Sequence, residues 1–256
     1  MRRLASVRQA GIPLAAAILM GVVVVAAGRS YAKPPRPLAQ APPSGAGRIL
    51  YMRDCAFCHG SQGEGTGVAP PLQGVGALAA DFYLSTGRMP EATPINDPPR
   101  RKPSYDRQEI AQLVAFVASL GPGPPVPRVD PGAGNLAEGA LLYEVNCAAC
   151  HSSAGIGGAL TQGKTAPGIL TATPTQIAEA IRLGGTGNMP VFGPDALPEA
   201  QVNSIVRYVQ QLQRPRDRGG LALGHIGPIA EGFIAWVVGL FLLVVFVRWT
   251  GTRASE

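Results

Sequence analysis

The feature that most restricts this chain is a duplication. The stretches "GRILYMRDCAFCH" (47–59) and "GALLYEVNCAACH" (139–151) align at an offset of 92 residues. That offset pairs Gly47 with Gly139, Tyr51 with Tyr143, and Cys55, Cys58 and His59 with Cys147, Cys150 and His151. The same offset pairs Ile110, Leu113, Val114, Val117 and Leu120 with Val202, Ile205, Val206, Val209 and Leu212. Their i, i+3, i+4, i+7, i+10 spacing predicts one apolar stripe on a closing helix in each copy. Between the two ends the register wanders, as loops do. A chain with this pattern is expected to be all-α and built twice, with domains at 46–120 and 136–213.

Each copy is under 80 residues, a size at which a hydrophobic core usually needs a staple or a cofactor. The motif supplies one. Cys-x-x-Cys-His is the attachment signature of c-type haem. Two thiols at i and i+3 on one helical turn can each form a thioether with a porphyrin vinyl group, and the histidine that follows then serves as proximal iron ligand. A zinc site would need four ligands, and each copy offers two cysteines and one histidine. A thioredoxin-like pair would sit in a βαβ pattern, which is missing. Simple disulfides would leave both histidines unexplained. The two motifs consume all four cysteines, so two covalently bound haem c groups are expected, on Cys55 and Cys58 and on Cys147 and Cys150, with His59 and His151 on the iron.

The sixth ligand follows by elimination among five methionines. Met1 and Met20 lie at or within an N-terminal apolar run, and Met52 stands three residues before Cys55 on the proximal side. Met89 in "GRMP" and Met189 in "GNMP" remain, each in a Gly-x-Met-Pro loop ahead of the closing helix. A loop that lays a thioether over the second haem face gives His/Met ligation, which raises the reduction potential.

Charge and hydropathy place the copies in the cell. The net charge of +6 is concentrated at the chain ends, since residues 30–228 hold 16 basic and 14 acidic side chains. A nucleic-acid partner is therefore not expected. The uncharged run Gln9–Ala27 follows Arg2, Arg3 and Arg8, the arrangement of an inward N-terminus. Ser30-Tyr31-Ala32 would suit signal-peptide cleavage, and a retained signal-anchor over 1–32 is the preferred reading. The second run, "GFIAWVVGLFLLVVFV" (232–247), extends into a transmembrane helix at 229–249 with a short cytoplasmic tail at 250–256. Trp236 and Trp249 suit the interface, and Arg248 and Arg253 the inner side. Pro/Gly-rich connectors occupy 33–45, 121–135 and 214–228, the composition of extended, semi-rigid linkers. The expected protein spans the membrane twice, with both termini cytoplasmic and the haem domains outside. His225, outside both copies, reads as an interfacial polar residue.

Each copy resembles a class I cytochrome c domain, through "CAFCH…GRMP…EIAQLVAFVASL" and "CAACH…GNMP…AQVNSIVRYVQQL". The resemblance implies that a proline carbonyl accepts the proximal imidazole N–H. Pro70, in competition with Pro71, and Pro167 are the matching positions. It also implies an aromatic contact where first and last helices cross, with Tyr51 and Phe116, or Tyr143 and Tyr208, as candidates. The whole layout, with "GPIAEG" leading into the last apolar run, resembles the dihaem cytochrome c subunit of actinobacterial-type cytochrome bc complexes. That family implies a cytochrome b subunit and a Rieske iron–sulfur subunit as partners, oxidising menaquinol. It further implies a terminal cytochrome c oxidase, in one supercomplex, whose copper centre takes the electrons. The chain would then be the electron-transfer subunit of quinol–cytochrome-c reductase, a translocase, without an independent active site. Competing expectations are a dihaem subunit of a cbb-type oxidase or a dehydrogenase, a dihaem peroxidase, which needs an open iron position, and a haem-based sensor.

Overall fold

The computed structural model describes residues 45–95, 98–185, 189–215 and 228–253. The N-terminal anchor at 1–32, nearly all of the first connector, His225 and the last three residues of the tail lie outside this range.

The first copy begins with α1 (Gly45–Asp54), a single-turn α2 (Ala56–His59), α3 (Gly76–Ser85) and α4 (Arg107–Ser119). The second has α5 (Leu136–Asn146), a single-turn α6 (Ala148–His151), α7 (Pro174–Leu183) and α8 (Glu199–Gln213). Local chemistry fixes several ends. Asp106 caps α4 through Gln108 and Glu109, and Glu109 answers the Asp106 backbone in a reciprocal box. Asn135 accepts from the Ala137 and Glu138 amides to start α5, and Thr173, with Pro174 behind it, starts α7.

First and last helices cross in each copy, α1 on α4 and α5 on α8. The predicted stripe is buried: Ile110, Leu113, Val114 and Val117 on α4, and Val202, Ile205, Val206 and Val209 on α8. At both crossings a glycine touches the partner backbone, Gly47 against the Gln112 carbonyl and Gly139 against the Ser204 carbonyl. The two aromatic pairs stand beside them. Tyr51 lies 4.9 Å from Phe116 and Tyr143 lies 5.3 Å from Tyr208, centroid to centroid, and both first-helix tyrosines are fully buried.

One element departs from an all-α chain. Gly158–Ala159 (β1) and Thr165–Ala166 (β2) form a two-residue antiparallel pair. It has a physical reason in loop length. Both loops start alike, with the motif histidine's carbonyl accepting from Gly65 or Gly157. The proline that faces the imidazole is then 11 residues from His59 but 16 from His151. The surplus residues in the second loop fold back as this ribbon.

The central connector is more than a spacer. Val126 packs on the first core and Val129 on the second. The Pro124 carbonyl accepts from Leu78 of α3, and Asn203 of α8 accepts from the Asp130 amide. Finally, α9 (Pro228–Arg253) is 26 residues long, and its Gly232–Gly251 segment has a mean hydropathy of 2.2 with no part buried against protein. Twenty helical residues span about 30 Å, the thickness of a bilayer's hydrocarbon core.

Candidate functional site

In the first copy, α1 ends at Cys55, whose backbone leaves the helix (φ −119°, ψ −34°) before α2 restarts. The amides of Cys58 and His59 both return to the Cys55 carbonyl, at 3.2 and 2.9 Å. This single tight turn sets the two thiols and the imidazole on one side. Cys147 repeats the break (φ −122°, ψ −38°), with Cys150 and His151 bonded back to its carbonyl. None of the four cysteines is in a disulfide. Burial pushes the thiols of Cys55 and Cys147 up to about 11, so before attachment they are neutral and poor partners for disulfide exchange.

His59 Nδ1 lies 2.8 Å from the Pro70 carbonyl, and His151 Nδ1 lies 2.8 Å from that of Pro167. Between the adjacent prolines, the bond goes to Pro70 rather than Pro71. With Nδ1–H donated to a carbonyl, the tautomer is fixed and the Nε2 lone pair faces outward for a metal.

A cavity of about 480 Å³ opens in front of this imidazole. Its walls include Cys55, Cys58 and His59, Met89 of the Gly-x-Met-Pro loop, and Leu113 and Val117 of the closing helix. The volume, the thiol pair and the two potential axial ligands on one cavity fit a c-type haem. In the second copy Cys147 and Met189 pack against the same core cluster, with Ile169, Phe192 and Leu212. Gly187 and Asn188 of that Gly-x-Met-Pro loop are outside the described residues. Met52, set aside on sequence grounds, is 44% exposed on α1 and away from the cavity wall.

Three features of the site escaped the sequence reading. First, the Tyr51 hydroxyl donates to the Gly60 carbonyl and the Tyr143 hydroxyl to that of Ser152, each at 2.7 Å. These bonds tie α1 and α5 to the residue just after the motif histidine. Burial pushes Tyr51 up to about 12 and Tyr143 further up, so both remain donors. The tyrosines were legible as aromatic contacts, but no spacing rule announces a bond to a carbonyl nine residues on. Second, Gly60 (φ 82°, ψ 156°) and Ser152 (φ 61°, ψ 160°) share a backbone conformation natural only to glycine. Third, Glu91, two residues after Met89, lines the first cavity with its side chain only 5% exposed, and pairs with Arg101 at 3.2 Å. Its counterpart after Met189-Pro190 is Val191, 65% exposed. A charged residue following Met-Pro in one copy alone was the available signal.

Comparison with known proteins agrees with this geometry. The cytochrome c family matches residues 44–121, and the family "Cytochrome C oxidase, cbb3-type, subunit III" matches residues 134–209. The cytochrome bc1 complex cytochrome c subunit of Mycobacterium tuberculosis is 37% identical over 217 residues, covering 81% of this chain and 77% of the relative. That of Corynebacterium diphtheriae is 32% identical over 228 residues, covering 81% and 80%. The cbb3-type cytochrome c oxidase subunit CcoP of Azospirillum sp. is 27% identical over 187 residues, covering 65% and 61%. Both copies are thus cytochrome c domains, and such domains bind c-type haem covalently.

Proposed function

Because the chain belongs to the family of cytochrome c subunits of the cytochrome bc1 complex, we propose that it is the dihaem electron-transfer subunit of such a complex. It takes electrons from a cytochrome b and Rieske iron–sulfur pair that oxidises quinol. It delivers them to the copper centre of a terminal cytochrome c oxidase. The observation that carries this reading is a repeated set, twice in one chain: a thiol pair, a carbonyl-oriented imidazole and a loop methionine packed on the same core.

When bound, each haem supplies a one-electron iron couple. The protein does the rest. Cys55 and Cys58, and Cys147 and Cys150, tether the porphyrins. His59 and His151, aimed by the Pro70 and Pro167 carbonyls, would hold the irons through Nε2, and Met89 and Met189 would supply a second side-chain ligand to each. With two side-chain ligands each, the irons would keep no place for a substrate. The chain therefore works as a relay within quinol–cytochrome-c reductase, without an active site of its own. The helix α9 anchors it, and together with an N-terminal signal-anchor it sets both termini in the cytoplasm and the haem domains outside. Tethering holds the relay at high effective concentration beside fixed partners.

A second reading, a dihaem subunit of a cbb3-type oxidase, is favoured by the family match over 134–209 and the likeness to CcoP. Purification in mild detergent followed by identification of the retained subunits separates the two. Cytochrome b and Rieske subunits are expected, and recovery with a cbb3 catalytic subunit instead would overturn the assignment. The ligand set is tested by Met89→Ala and Met189→Ala. Each should lower one haem's potential and open that iron to carbon monoxide, and two unchanged haems would remove the methionines from it.

A further inference from the structure

The two haem domains meet through equivalent helices. Here α3 packs on α7, and at the middle of each the sixth residue is an acid, Asp81 in α3 and Glu179 in α7. Such a contact has the form of an isologous dimer interface inside one chain: each partner presents the same patch, and the central position meets its own counterpart. Around the acids the contact is polar and well bonded. Gln176 Nε2 donates to the Ser85 carbonyl and hydroxyl, both at 3.1 Å, and Arg100 donates to Gln176 Oε1 at 2.9 Å and to the Thr171 carbonyl at 3.2 Å.

The acids themselves are different. Glu179 is 0% exposed and Asp81 7%. Asp81 Oδ1 and both Glu179 oxygens are buried and, among the described residues, accept from no donor. The cations on the surrounding elements are engaged elsewhere or turned outward. Arg88 lies over the Phe82 ring, Arg182 bonds the Phe192 carbonyl, Arg207 bonds the Gly134 carbonyl, and Arg107 on α4 is exposed. Of the neighbouring carboxylates, Glu109 is held in the α4 cap and Glu199 is exposed on α8. Among the described residues neither acid has an ion-pair partner. Among the described residues, the side chain that each acid reaches is the other carboxyl, and two carboxyls can bond only if a proton lies between them.

We infer that Asp81 and Glu179 form a proton-binding site that clasps the two haem domains together. The bound proton is the missing donor: the protonated acid donates to its partner, and loss of that proton sets two buried carboxylates against each other. Burial and the neighbouring acid both act to raise Glu179, and burial raises Asp81, because like charges this close cannot both ionise. The sign follows from proton counting. Apart, the carboxyls titrate in the ordinary range near ~4; clasped, at least one holds its proton to higher pH. The clasped form therefore binds the extra proton, and its advantage is complete below the ordinary range. It falls about tenfold per pH unit through the window between the ordinary and the raised values.

The test uses the full-length dihaem protein in detergent, carrying spin labels at Gln108→Cys on α4 and Ala200→Cys on α8. Infrared spectra and label-to-label distances are followed from pH 6 to pH 10. The wild-type side chains should give a protonated carboxylic acid band at neutral pH. That band should weaken toward pH 10 as the distance distribution lengthens or broadens. Glu179→Gln, whose amide donates without a titrating proton, should lack the band and keep the short distance throughout. Absence of the band in the wild-type pair at neutral pH would overturn the proposal. So would its loss with the distance unchanged, or a Glu179→Gln protein that opens with pH as the wild type does. The wild-type titration stands even if the variant fails to accumulate.

Discussion

The two glycine crossings allow a prediction whose sign reverses within one helix. At Gly47 an added Cβ would overlap the Gln112 carbonyl and stand 3.2 Å from the Phe116 Cβ; at Gly139 it would overlap the Ser204 carbonyl and stand 3.1 Å from the Tyr208 Cβ. The obstructing atoms are backbone, so the closing helix must retreat as a unit. Overpacking of this kind costs about 1–3 kcal/mol and occasionally more, against a helix-propensity gain near 1 kcal/mol for Gly→Ala. A net loss of up to about 2 kcal/mol is expected for Gly47→Ala. Gly139→Ala should lose more, because its overlap with the partner backbone is deeper. At Gly45, in the same helix, nothing lies within 4 Å, so Gly45→Ala should stabilise by up to ~1 kcal/mol. Denaturant titration of the dihaem protein, followed by far-ultraviolet dichroism and the Soret band, measures all three. For a domain of this size 1 kcal/mol corresponds to about 4–8 °C in Tm. The reasoning fails if Gly47→Ala and Gly45→Ala change stability by the same amount, or if Gly139→Ala is neutral.

Other outcomes follow from single contacts. Tyr51→Phe removes the buried bond to the Gly60 carbonyl and should cost about 1–2 kcal/mol, read in the same titration; Tyr143→Phe should match it. Ser152→Gly relieves a glycine-only conformation worth roughly 1–3 kcal/mol, partly offset by greater freedom of the unfolded chain; about 1 kcal/mol of stabilisation should appear, and Gly60→Ser should move the other way. Asn135→Ala deletes the cap of α5 and should cost about 1 kcal/mol, confined to the second domain's transition.

The sequence carried the site further than it carried the arrangement of the domains. Cys-x-x-Cys-His states its own geometry, because the three side chains are used within one turn and the backbone that orients them is equally local. The closing helices were legible for the same reason: Val202, Ile205, Val206 and Val209 mark one face whatever lies against it. Pro70 could be separated from Pro71 only in three dimensions, since adjacent carbonyls point to different sides. The β ribbon at 158–166 was hidden in a difference of loop length, visible as drifting register but without any strand pattern in two residues. Least legible was the α3–α7 contact. No motif or spacing singles out Asp81 and Glu179, and they align at an offset of 98, outside the 92-residue register that revealed the repeat. The composition of residues 121–135 suggested a spacer, whereas Val126 and Val129 insert into the two cores.

Both repeats present a thiol pair, a carbonyl-oriented imidazole and a loop methionine, but they differ in the charge beside the methionine, and this difference can be measured. Glu91 sits inside the first cavity, while Val191 stands exposed at the same place in the second copy. A carboxylate stabilises the more positive, oxidised iron, so it lowers the potential of the haem it faces. At an effective dielectric of about 20, one charge on the order of 10 Å away is worth about 1.7 kcal/mol, or roughly 70 mV for one electron. Arg101, paired with Glu91 at 3.2 Å and half-exposed, opposes part of this, leaving tens of mV. Glu91→Gln keeps the shape and removes the charge, so a spectroelectrochemical titration should show the first haem's potential rising by tens of mV with the second unmoved. The two are distinguished by repeating the titration in the Met189→Ala background, where the second haem is shifted away. A fall in potential, or an equal shift at both haems, would refute a local electrostatic role for Glu91.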